Sequence, residues 1–220
     1  MPAEPAVARP AIALERWAAL AAAAVVAVGV VGFDWSSFTV VGLYWLENVL
    51  IGVFTVARML AALSLAERRT GTGGALFLVG FFTLHYGFFC FGHGVFVVAL
   101  LGESAGAVPT GPFDPLGEIV GRLLAAPLGG LAVLAVALFV ASDFARWLAQ
   151  ARREPPRANE LMLAPYRRIV VLHIALLGGA FAMQLLALPQ AVVLVLVLLK
   201  LAFDLREVRR PYTFAWQRIR

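Results

Sequence analysis

TVVGLYWLENVLIGVFTVARMLAALS, residues 39–64, holds only two charged side chains, Glu47 and Arg58. A helix of that length reaches about 39 Å at 1.5 Å per residue, enough to cross a hydrocarbon core of about 30 Å. Comparable apolar runs recur at 17–33, 75–101, 128–148, 169–188 and 190–205. Across its 220 residues the chain is 62% hydrophobic and 14% charged, with a mean hydropathy of +0.88. A soluble domain is about half apolar and about a quarter charged. The sequence therefore reads as an all-α, polytopic membrane bundle of six spans, a single integral membrane domain over 1–220. A transmembrane barrel would show short segments of alternating polarity, which are lacking.

The stretches between the runs are informative. Arg9 and Arg16 precede the first run, as in a signal peptide, but no A-x-A site precedes DWSS. A retained span is expected, with cleavage as the alternative. Asp114-Pro115 suits a helix start, and Leu116, Ile119, Val120, Leu123 and Leu124 recur at helical spacing. A short amphipathic helix at the membrane interface is expected over 116–126. Of 18 basic residues, all but Lys200 are arginine. With the N-terminus inside, residues before 17, loops 65–74 and 149–168, and the tail hold nearly all of them, whereas the loops on the other side hold only Arg122. Positive charge stays on the cytoplasmic face, so both termini are expected inside, in a bacterial cytoplasmic (inner) membrane. The net charge of +5 fits anionic lipid headgroups better than nucleic acid, so membrane lipids are expected partners and nucleic acid is not.

Ionisable groups inside spans are costly, roughly 2.5–3.5 kcal/mol at the bilayer centre on insertion scales, and mark function by default. In the second run, Tyr44, Glu47, Asn48, Thr55 and Arg58 share a sector about 100° wide at 100° per residue. That sector must face protein or water. Arg58 is expected to snorkel, and the bland reading of the whole sector is a polar stripe that bonds neighbouring helices. In the third run, HYGFFCFGHG (85–94) sets His85, Tyr86, Cys90 and His93 among phenylalanines and glycines. The histidines are about 12 Å apart along a straight helix, so they define two levels and not one chelate. His93 and Glu47 lie at similar depth, and His85 lies nearer His173 and Asp143; the second and third runs are expected to pack together, with Glu47 and Asn48 facing His85 and His93. Asp143 and Asp204, each close to an arginine, read as interfacial. Cys90, the one cysteine, reads as a small packing residue and excludes an intrachain disulfide.

Two functional pictures remain. In one, Glu47 and His93 hold a metal ion near the outer face, or His85 and His173 clamp a haem, with His85 a further candidate metal ligand, Asn48 and Tyr86 in support and Glu47 as ligand or catalytic proton acceptor. Such a site invites redox, lipid or quinone chemistry. In the other, the same residues form a path for protons or a small solute. A structural or assembly subunit is the third class. Glycine pairs at 73–74, 129–130 and 178–179 permit a homo-oligomer or a membrane partner. There is no Walker motif, G-x-S-x-G or H-E-x-x-H, and whether the protein is an enzyme stays open.

The second and third runs together resemble a family of bacterial and archaeal multi-pass membrane proteins, a domain of unknown function. It has a W-x-E-N segment followed by H-Y-G-x-F-x-x-x-H-G. The matching residues here are Trp45, Glu47, Asn48, His85, Tyr86, Gly87, His93 and Gly94. The resemblance implies the membrane class and lends no activity.

Overall fold

The computed structural model describes residues 8–65, 72–102, 106, 114–152, 161 and 189–208. Among them there are six helices and no strand: α1 (Ala8–Gly32), α2 (Ser37–Leu65), α3 (Thr72–Leu101), α4 (Asp114–Ala125), α5 (Gly129–Ala151) and α6 (Pro189–Val208). Four of these, α1, α2, α3 and α5, are long and apolar enough to cross a membrane. The α6 helix covers the expected 190–205 run but carries Lys200, Asp204, Arg206 and Glu207, and does not count among the four. The expected 169–188 span, with His173, lies outside the described residues.

The α2 helix is the hub. It packs on α3, α4, α5 and α6, and α1 lies along α5 and α6. A continuous apolar core runs from Val26 and Val30 of α1 through Phe38, Leu43 and Trp45 of α2 to Val97 of α3, Val136 of α5 and Val197 of α6. Among the described elements, α3 packs mainly on α2 and, less extensively, on α4, and many of its large side chains, such as Phe77, Leu84 and Phe88, are exposed. That is the surface expected of a helix in lipid, which has no reason to hide phenylalanine.

The turn between α1 and α2 is built from local chemistry. Asp34 takes a left-handed φ of 51°, a conformation Asp tolerates better than most residues. Ser36 then caps α2, its Oγ accepting from the Thr39 amide at 3.2 Å. The Trp35 ring covers Gly29, where no Cβ would fit, and its Nε1 donates to the Pro127 carbonyl at 3.0 Å. This bond ties the α1–α2 turn to the α4–α5 turn at one end of the bundle.

The amphipathic helix is present, from Asp114 to Ala125. Its buried side chains are Ile119 and Leu123, set among α2, α3 and α5, while Leu116 and Leu124 stay exposed. It therefore docks on the bundle with one face and keeps an apolar edge outward.

Candidate functional site

The α2–α3 seam accounts for Tyr86 and Cys90 among the polar residues picked out in the sequence. Trp45 Nε1 donates to the Cys90 carbonyl at 2.7 Å, and Tyr86 Oη donates to the Asn48 carbonyl at 3.0 Å. Glycines set the spacing. A Cβ on Gly52 would stand 2.5 Å from the Tyr86 ring, and one on Gly94 3.0 Å from Trp45. Tyr86 and Cys90 are thus buried packing residues, with Phe82 and Met59 around them. Among the described residues, the buried Asn48 Oδ1 has no hydrogen-bond partner.

The two histidines do not share a centre. His85 is exposed on α3, its ring stacked on Phe81 at 5.4 Å and 7°. His93 is half-buried, its Nδ1 donates to the Phe89 carbonyl at 2.8 Å, and its ring lies 4.2 Å from that of Phe89. The seam pairs Trp45 with Cys90 and Gly94, and Gly52 with Tyr86. That register puts Glu47 and His93 within a turn of each other in depth, but Glu47 turns elsewhere. Glu47 lines a cleft together with Ala19, Ala22, Ala23 and Val26 of α1, Val136 of α5 and Lys200 of α6. The expectation that Glu47 faces the histidines is corrected here: Glu47 lies two positions, about 200°, from the Trp45 that meets α3. Among the described residues no group of three or more His, Cys, Asp or Glu is placed to hold a metal ion.

In the cleft, Glu47 is 1% exposed. Its Oε2 lies 2.9 Å from Lys200 Nζ. Lys200 also donates to Asp204 Oδ2, one turn along α6, at 2.5 Å. The ammonium stands 5.2 Å from the Tyr44 ring centroid and 5.7 Å from that of Phe139. Two carboxylates, one ammonium and two ring faces from α2, α5 and α6 converge here, and the small side chains of α1 close the side. The remaining space holds about one water-sized group. Lys200 and Asp204 were not among the sequence candidates. The signal was there: the chain's one lysine, inside an apolar run, with a carboxylate four residues on. Asp204 is buried and not turned out to an interface.

A second ionic cluster crosses the bundle nearer the other end. Arg58 of α2 donates to Asp143 Oδ2 at 2.6 Å. Arg146 donates to Asp143 Oδ1 at 3.3 Å and to both Glu15 oxygens, at 2.5 and 3.2 Å. Glu15, Asp143 and Arg146 are all buried, and the Arg58 guanidinium lies 5.7 Å from the Trp147 ring. Arg58 therefore bonds across helices where snorkelling was expected, and Asp143 is an interior group. Glu15, unremarked in the sequence, anchors α1 to α5. Arg58 is 11 residues from Glu47, so the two clusters are separated by about 16 Å along α2.

A bundle of long apolar helices enclosing charged clusters is an integral membrane protein. The chain belongs to the DUF6498 family, a family of unknown function, whose model matches residues 6–215. No curated protein and no solved structure matches it significantly.

Proposed function

We propose that the protein is a proton or small-solute transporter or channel of the bacterial inner membrane, with six spans, both termini cytoplasmic, and Glu47, Lys200 and Asp204 as its working site. One observation carries this reading: Glu47 and Lys200 meet at 2.9 Å at a cleft deep in the bundle. Purely structural buried ion pairs are poor investments, since well-packed apolar residues of the same size often do as well or better. Titratable groups facing a water-sized space between helices are what a proton path needs. The placing of the α1–α2 and α4–α5 turns on one side is supported by the Trp35–Pro127 bond, which joins them. The expected location of the basic loops agrees with it.

The test is reconstitution into liposomes holding a pH-sensitive dye, with a potassium diffusion potential as the driving force. Wild type is expected to conduct protons, Glu47→Gln to lose at least about tenfold of that flux, and Glu47→Asp to keep part of it. An inert wild-type protein overturns the reading.

A second reading rests on His85, whose ring is exposed on an aromatic-lined face of α3. There it is accessible to a haem, a metal ion or a quinone headgroup that brings further ligands from elsewhere. An optical spectrum and metal analysis of the purified protein, beside a His85→Ala/His93→Ala variant, decide it. A haem band or a stoichiometric metal lost in the variant supports it; a colourless, metal-free protein removes it.

A further inference from the structure

We propose that Tyr44, Glu47, Phe139 and Asp204 form a site for a small monovalent cation, occupied in this structure by the chain's own ammonium, Lys200. The inference rests on the transport reading and names its substrate class. The ammonium is held as a free cation would be. Two carboxylate oxygens lie 2.9 and 2.5 Å from Nζ, and two ring faces lie within 6 Å, the reach of a cation–π contact. Carboxylate oxygens suit alkali cations as well as ammonium. The ammonium position together with the water-sized space beside it suits a small cation such as ammonium, methylammonium, sodium or potassium and is too small for larger solutes.

Lys200 is tethered by four flexible methylenes, so its head can leave the carboxylates without any movement of the helix. The exchange balances in charge. As one monovalent cation enters between Glu47 and Asp204, its charge displaces that of the ammonium, which passes one proton to water in the cleft and withdraws as a neutral amine. Among the described residues, the charged and titratable groups facing the site are Tyr44 and Glu47 from α2 and Lys200 and Asp204 from α6. The α1 and α5 helices contribute only Ala19, Ala22, Ala23, Val26, Val136 and the Phe139 ring. The site so described couples cation entry to proton release.

The experiment is thermal unfolding of the full-length protein in detergent, wild type and Lys200→Met, in ammonium, methylammonium, sodium or potassium chloride. Choline chloride holds the ionic strength constant. Lys200→Met vacates the site, and its Tm is expected to rise with one or more small cations. The rise should be about 5–10 °C by the time the cation reaches about 100 times its dissociation constant. Choline alone should give none, and Glu47→Gln/Lys200→Met should lose the response. The ranking of the four salts identifies the cation. Equal Tm values for Lys200→Met in every salt overturn the proposal. So does a Lys200→Met protein that folds in no salt while Glu47→Gln/Lys200→Met/Asp204→Asn folds, because the site then requires the tethered charge. Failure here is separable from failure of the transport reading. Proton flux lost in Glu47→Gln with a cation-indifferent Lys200→Met removes only the cation site. A cation response in Lys200→Met with an inert wild type in liposomes removes only transport.

Discussion

Gly52 and Gly80 look alike in the sequence, each in the middle of an apolar helix, and the structure separates them. A Cβ at Gly52 would meet the Tyr86 ring at 2.5 Å, whereas Gly80 has nothing within 4 Å. Gly52→Ala is therefore expected to destabilise the protein by about 1–3 kcal/mol through overpacking. Gly80→Ala is expected to be neutral or to gain up to about 1 kcal/mol from helix propensity. Unfolding in a mixed-micelle denaturant titration reads both. Trp45→Phe keeps most of the packing but deletes the bond to the Cys90 carbonyl. It should cost about 0.5–1.5 kcal/mol in the same assay. At this scale Glu47 was legible because a carboxylate amid apolar residues is costly in a membrane and must face protein or water. Lys200 was overlooked, although it is the chain's one lysine and sits inside an apolar run with Asp204 four residues on. Only the position of α2 against α6 shows which way it turns.

Among the elements, α1 shows how much packing partners matter. Ala19, Ala22, Ala23 and Val26 fall on one helical face and close the cleft, and Glu15, one turn before Ala19, joins Arg146 of α5. Arg146→Met leaves the 2%-exposed Glu15 carboxylate without those two hydrogen bonds. The expected cost is about 3–5 kcal/mol, most of it recovered in Glu15→Gln/Arg146→Met. Equal instability of the single and double variants would show that the pair does not join α1 to α5 energetically. The α4 helix was readable from its apolar spacing and its Asp-Pro start. Its docking against α2 was not, because a periodic apolar face fits a membrane surface and a protein groove alike. The α2–α3 pairing was expected from two adjacent runs, and the glycines and aromatic donors of the seam bear it out.

For the molecule as a whole, the proposed topology makes a labelling prediction. In a Cys90→Ser background, a cysteine in place of the exposed Asp34 should react with a membrane-impermeant maleimide in intact cells. A cysteine in place of the exposed Arg152 should react only after permeabilisation. The opposite pattern would invert the bundle. The sequence alone determined that the chain is helical and membrane-embedded, because apolar runs of this length have no other stable form in lipid, where every backbone group must be satisfied within its own segment. It also singled out Trp45, Glu47, Asn48 and the 85–94 segment as unusual. The tertiary structure alone decided what those residues meet. Helical periodicity fixes which side chains share a face but not which neighbour that face turns toward. So Glu47 came to Lys200 and Asp204 on α6 instead of the histidines on α3, and Glu15, Arg58, Asp143 and Arg146 came together from three helices.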